Sequence, residues 1–145
     1  MLVYKNPKAA EQFIEELSKM YRYILQLNET YLVPLKEELE FIQSYIYLQK
    51  IRHQGSLQFY TKVNAHSLNQ LIPPLTLELL VENAIKHNAI AKDTPLHIKL
   101  STQNGHLYLK NPIQPRLENE IPSTKVGLKN LLEKYKILDL SLIHI

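Results

Sequence analysis

The sequence predicts an α+β fold: a two-layer α/β sandwich with a mixed, mostly antiparallel sheet, preceded by an amphipathic helix. Three observations lead there. Helical and strand periodicities follow one another as helix, helix, strand, helix, strand, turn, strand, loop, helix. The candidate strands alternate apolar and polar residues, as half-buried strands do. Asn104-Gly105 joins two of them, and both residues tolerate the positive φ of a tight hairpin turn. Helices and a hairpin in mixed order argue for helices on one face of a sheet.

Met1 to Tyr4 is a short apolar lead-in. Asn6-Pro7 starts a helix, a capping side chain followed by a proline whose missing N–H is not needed there. Ala10, Phe13, Ile14, Leu17, Met20, Tyr21, Ile24 and Leu25 then recur at near-heptad spacing to about Leu27. Such a helix either faces the core of its own domain or forms one arm of a dimerising hairpin. Asn28 to Pro34 breaks the pattern, and Val33, before a proline, is expected to be extended.

A second helix is predicted over 35–52. Glu37 and Glu38 lie in its first turn, where anionic groups suit the helix dipole. Leu39, Ile42 and Ile46 form its stripe, flanked by Phe41, Tyr45 and Leu48, and Gly55 marks the turn beyond it. Leu57, Phe59, Thr61 and Val63 alternate with Gln58, Tyr60 and Lys62 as a strand, and 64–70 is a polar connection.

The stretch 71–90 is expected to organise the rest. Pro73-Pro74 are placed at the first positions of a helix whose Leu77, Leu80, Val81, Ala84 and Ile85 share one face. Glu78, Glu82, Asn83, Lys86 and His87 fall on the other. An amide oxygen suits Mg²⁺, and a lysine suits a phosphate as a point charge. The i, i+4, i+8 spacing of Glu78, Glu82 and Lys86 is equally that of a solvated ion-pair stripe, at ~0.3–0.5 kcal/mol per pair. Leu96, Ile98 and Leu100 form the next strand, and Leu107 and Leu109 return after the turn.

Composition bounds the alternatives. The 145 residues are 45% hydrophobic, enough for one compact domain with an appended helix. No cysteine is present, which excludes a disulfide framework and a thiolate metal site. The net charge of +3 is dispersed, with no basic run of the kind that marks a nucleic-acid arm. No stretch approaches the ~18 apolar residues of a membrane span, and the start does not look like a signal peptide. The spacings of the six histidines match no metal-ligand pattern.

Pro73-Pro74 with Leu80-Val81-Glu82-Asn83-Ala84-Ile85-Lys86-His87 resembles the N box of sensor histidine kinases, more narrowly the internal-region subfamily related to bacterial autolysis-regulating sensors. Asn6 to Glu11 and on to Arg22-Tyr23 resembles that subfamily's second dimerisation helix. Leu35 to Phe41 and Tyr45 to Arg52 resemble the opening of its catalytic domain. The resemblance covers about residues 2–138 and implies the Bergerat ATPase fold shared with gyrase and heat-shock chaperone ATPases. It implies residues 1–33 as a dimerisation helix and linker, 34–138 as an ATP-binding domain, and 139–145 as a tail, possibly non-native. ATP and Mg²⁺ are the implied cofactors. Asn83 would be the metal-side residue, with Lys86 and His87 near the nucleotide and Glu82 an acidic position beside the asparagine.

The chain departs from the family at three places. Where an Asp-x-Gly-x-Gly element is expected, the sequence reads Leu109 to Pro115, with no aspartate and no glycine, and Asn111 would accept the same hydrogen bond from adenine through its side-chain carbonyl. The glycine-rich loop reads Ser123 to Asn130 and keeps only Gly127, with Lys125 where a glycine would stand. That lysine would supply charge to the phosphates. The segment 111–125 is expected to be the ATP lid, followed by a helix over about 126–138. The phosphoacceptor histidine of the family lies on a helix that this sequence lacks, so this chain alone is not expected to autophosphorylate. The resemblance further implies a homodimer, a response-regulator partner and a cytoplasmic domain of an inner-membrane protein. A non-catalytic dimerisation or interaction module is the alternative, supported by the eroded glycine loop and the lost aspartate.

Overall fold

A computed structural model of the chain describes residues 6–112 and the strand pair 143–144. The lead-in before Asn6, most of the expected lid and the expected helix over 126–138 lie outside the described residues.

Helix α1 spans Pro7–Gln26 and begins as expected. The Asn6 side-chain oxygen accepts the Ala9 N–H at 3.1 Å, which satisfies one of the N–H groups a helix start leaves open. None of its residues is fully buried. Phe13, Leu17, Met20, Tyr23 and Leu27 are half-buried on the side that meets the next helix. Ile14, Tyr21, Ile24 and Leu25 form a second apolar stripe that stays exposed.

Strand β1, Val33–Pro34, is extended as the following proline requires, and it leads directly into α2, Leu35–Arg52. Helix α2 buries two sides, with Leu35, Ile42, Tyr45 and Ile46 in the core and Phe41 and Ser44 toward α1. It ends before Gly55, whose φ of 82° supplies the turn. Strand β2, Leu57–Lys62, follows, then a short 3₁₀ turn at Ala65–Ser67 and strand β3, Leu71–Ile72. Strand β3 pairs antiparallel with β1, Val33 opposite Ile72.

Helix α3 spans Thr76–Lys86. This corrects the expected start at the proline pair. A residue that precedes proline is driven out of the helical region, so Pro73 cannot be helical before Pro74. The helix instead opens after Leu75, which takes the left-handed conformation at φ 63°. Its buried residues Leu77, Leu80, Val81, Ala84 and Ile85 are those the periodicity selects.

Strands β4, Leu96–Gln103, and β5, His106–Lys110, form the expected hairpin through Asn104 at φ 52° and Gly105 at φ 76°. The larger sheet runs β2-β4-β5-β6, with β6 at Ile143–His144. Its pairings are parallel for β2 with β4, antiparallel for β4 with β5, and parallel for β5 with β6. The expectation of a mostly antiparallel sheet is therefore corrected: among the described residues, the hairpin pairing alone is antiparallel in this sheet. The physical reason is that α3 carries the chain back between β2 and β4, and a crossover of that length permits the same direction.

The fold is thus mixed α+β, with helices packed on a mixed sheet. Leu57, Leu96, Ile98, Leu100 and Leu107 from the strands meet Leu35, Ile42, Ile46, Leu77, Leu80 and Val81 from the helices in one core. The opposite side of β4 carries His97, Lys99 and Gln103 to solvent.

Candidate functional site

Helix α3 brings Glu82, Asn83 and Lys86 onto its last two turns, with His87 at its C-terminal cap. Packing of Leu80, Val81, Ala84 and Ile85 on the core fixes which way the other face points. Lys86 Nζ lies 2.6 Å from Glu82 Oε1, one turn back, with both side chains part-exposed. The ion-pair stripe is therefore realised between these two residues. His87 is exposed, and its N–H donates to the Asn83 carbonyl at 3.0 Å.

Asn83 is different in kind. Both polar atoms of its side-chain amide are buried, and neither has a hydrogen-bond partner. Leaving a buried amide unbonded costs roughly 1–3 kcal/mol for each unmet group. Buried polar atoms in native proteins are otherwise nearly always bonded. The neighbouring Asn88 shows the ordinary solution, its amide donating to the Ala84 carbonyl at 2.7 Å.

Acidic groups of α2 and α3 lie close enough to repel one another. Burial is the main cause that raises the Glu78 carboxyl above its usual range, and the nearby Glu82 and Glu38 add to it. Burial likewise raises the Tyr45 hydroxyl of α2, with Glu82 and Glu78 contributing. Among the described residues no group of three or more His, Cys, Asp or Glu side chains forms a metal cage. A divalent ion held here would take the Asn83 oxygen together with water or ligand oxygens. That donor set suits Mg²⁺, which binds hard oxygens and keeps several waters.

Asn111 lies just past β5, its amide N–H donating to the Pro112 carbonyl at 2.9 Å. Lys125 and Gly127 lie outside the described residues. Three clefts bounded by described residues lie elsewhere. The largest, about 530 Å³, is between α1 and α2 and is lined by Arg22, Tyr23, Phe41 and Ser44 among others. One of about 480 Å³ lies beside Leu39, Thr61 and Leu68, and one of about 400 Å³ beside Arg52, His53 and Lys92. Asn83 lines none of these three.

Glu38 lies in the first turn of α2 as expected, but its role there was not foreseen, since it is 0% exposed. Its carboxylate accepts the Tyr23 hydroxyl from α1, the Leu75 N–H at 3.1 Å and the Leu77 N–H at 3.3 Å. The last two belong to the N-terminus of α3, which has no polar capping side chain of its own. A signal was present: Leu35, Glu38, Ile42 and Tyr45 share one helical face, so a carboxylate sits on an apolar stripe.

Comparison with known proteins adds an independent line. Residues 1–57 match the family described as Histidine kinase. Over 150 aligned positions the chain is 30% identical to the sensor protein kinase HptS of Staphylococcus aureus, with the same figure for strains USA300, NCTC 8325 / PS 47 and bovine RF122 / ET3-1. The alignment covers 94% of this chain and 29% of that relative, so the chain spans less than a third of its length.

Proposed function

Since both matches support a histidine kinase family member, we propose that this chain is the ATP-binding catalytic module of a two-component sensor kinase of the internal-region subfamily, built on the Bergerat fold. The observation that carries the reading is the Asn83 amide, buried without a partner on the helix whose sequence resembles an N box. A group left unsatisfied at that cost fits a position completed by a ligand.

In this reading Asn83 gives its oxygen to Mg²⁺, and the metal supplies charge neutralisation at the ATP phosphates. Lys86 leaves Glu82 and turns to phosphate, a change of partner that costs little because a part-exposed ion pair contributes under ~1 kcal/mol. Glu82 then remains as the acidic group beside the metal side, and His87 lies at the nucleotide-proximal end of the helix. Asn111 faces adenine, while Lys125 and Gly127 approach the phosphates from the lid. The reaction of the whole protein is transfer of the γ-phosphoryl group to a histidine outside this chain. Such transfer depends on positioning and charge more than on covalent participation by the protein.

The exposed stripe of Ile14, Tyr21, Ile24 and Leu25 supports the homodimer, because an apolar face at this spacing is covered when two such helices pair. A response regulator is the proposed downstream partner. A cytoplasmic location of this module, in a protein anchored in the inner membrane, is part of the same proposal. No helix among the described residues is long and apolar enough to cross a membrane.

A second reading, a non-catalytic dimerisation and interaction module, is favoured by the Glu82–Lys86 ion pair and by the turn of Asn111 toward its own neighbour. Thermal stability with and without millimolar Mg-ATP separates the two. A nucleotide at 100 times its Kd stabilises by about 2.7 kcal/mol. A folded chain that shows no such shift is the interaction module.

A further inference from the structure

We propose that Glu38 is a positioning residue for the helix that carries Asn83, and that the Tyr23 hydroxyl makes the placement of α1 and the seat of α3 a single linked variable. The meaning of this link for catalysis rests on the nucleotide-binding reading above; the link itself does not.

The argument begins at the start of α3. A helix leaves its first N–H groups without internal partners, and a Ser, Thr, Asp or Asn at the cap usually serves them. Here the cap is Leu75, which has no acceptor to offer. It also holds φ 63°, a conformation that costs a leucine roughly 1–2 kcal/mol. Glu38 takes over both tasks from α2. One carboxylate oxygen accepts the Leu75 N–H and the other accepts the Leu77 N–H. Thr76 adds a local bond, its hydroxyl donating to the Pro73 carbonyl at 2.5 Å.

Glu38 is fully buried, and none of the ion pairs formed among the described residues involves it. Burial holds its carboxyl above the usual range, and the Tyr23 hydroxyl, the backbone N–H groups of Leu75, Leu77 and Thr76 and the positive end of the α3 dipole act against that. Tyr23 is the only one of these supplied by α1. Its ring also lies against Phe41, one turn along α2 from Glu38, with centroids 4.8 Å apart and the planes tilted by 32°.

Helix α1 lies on α2 through its half-buried side. It buries no residue completely and otherwise bonds α2 through Ser44, whose hydroxyl donates to Glu16 at 2.6 Å. A rotation or slide of α1 withdraws a donor from a buried carboxylate. That carboxylate either takes up a proton or shifts toward solvent, and both weaken its hold on Leu75 and Leu77. Asn83 stands eight residues beyond Leu75, roughly 12 Å along the same rigid helix. Movement of α1 is thereby passed to the amide that the kinase reading assigns to Mg²⁺.

Tyr23→Phe tests this, since it removes the donor and keeps the ring on Phe41. Amide hydrogen exchange under native conditions is compared with the wild type at Leu75, Leu77 and along α3, with Ile98 and Leu100 in the central strand as the reference for global opening. The expected result is exchange about fivefold or more faster at Leu75 and Leu77, with Ile98 and Leu100 unchanged. Equal acceleration at all sites, or none in α3, overturns the proposal. Mg-ATP titration forms the second arm. Affinity should fall by a similar factor in the variant, and Mg-ATP should slow exchange in α1 of the wild type but not of the variant, because coupling is reciprocal. Faster α3 exchange with unchanged affinity overturns the coupling to the site. Absence of Mg-ATP binding in the wild type overturns the nucleotide reading, while the exchange arm still decides the link.

Discussion

The Glu38 carboxylate accepts the Leu77 N–H at 3.3 Å, so a side chain of α2 caps a helix that begins almost forty residues later. This places the stability of α3 outside its own sequence. Glu38→Ala removes the acceptor and leaves a tyrosine hydroxyl and two helix N–H groups facing an apolar gap. A lost cap costs about 0.5–2 kcal/mol, and each buried donor left open costs about 1–3 kcal/mol. Urea denaturation of the variant should show a loss of at least about 2 kcal/mol. A loss under about 0.5 kcal/mol would mean that α3 caps itself.

Asn83→Ala should separate stability from ligand binding. The amide makes no hydrogen bond, so its removal takes away desolvated polar atoms and no contact that holds the fold. Unfolding free energy should stay within about 0.5 kcal/mol of the wild type or rise. The magnesium-dependent part of the ATP-induced thermal shift should vanish. An unchanged response to Mg²⁺ would take the metal role from this residue.

Lys86→Ala should cost under about 0.5 kcal/mol of stability, because its partner Glu82 is one helical turn away and both side chains are part-exposed. Affinity for ATP should fall, and that for adenosine should not. Equal effects on both would place the lysine away from the phosphates.

The Glu78 carboxyl is raised by burial first, and then by Glu82 and Glu38. An acid of this kind keeps its proton longer when folded than when unfolded. Its contribution to stability is full below the ordinary carboxylate value of 4.5 and is lost as pH rises through the raised folded value. Glu78→Gln should therefore be more stable than the wild type near neutral pH and equal to it below about pH 4. Solvent screening of a half-buried group keeps the gain under about 1 kcal/mol. A gain that grows toward acid pH would reverse the sign of this assignment.

Ile14 and Leu25 are 60% and 75% exposed on the outer stripe of α1. Replacing both by glutamate should leave the circular dichroism spectrum and melting temperature of the folded domain near wild type. If two copies pair through this stripe, sedimentation equilibrium should change from dimer to monomer. A variant that remains dimeric would move the interface elsewhere.

Much of the fold was legible because its signals are local. Asn6-Pro7 marks the start of α1, and Asn104-Gly105 closes the hairpin at the two φ values that such a turn requires. The apolar periodicity of 77–85 selects the residues that α3 buries. Two local readings failed for reasons that lie in the chain itself. Pro73-Pro74 could not open the helix, since the second proline bars the first from helical geometry. The sheet gained a parallel pairing because the β2-to-β4 connection contains a helix rather than a turn.

Glu82, Asn83, Lys86 and His87 come from one stretch, and their spacing alone put them on adjoining turns. Spacing and capping act over a few residues, within reach of a single helix or turn, so the sequence by itself determined which elements form and which faces they bury. The environments of those faces were decided by tertiary structure alone. Whether Asn83 has a partner, which side of α1 stays exposed, and that Glu38 serves Leu75 and Leu77 all depend on segments distant in the chain being pressed together. Burial turns an ordinary first-turn glutamate into a cap for another helix, because a desolvated carboxylate must find its donors wherever packing supplies them.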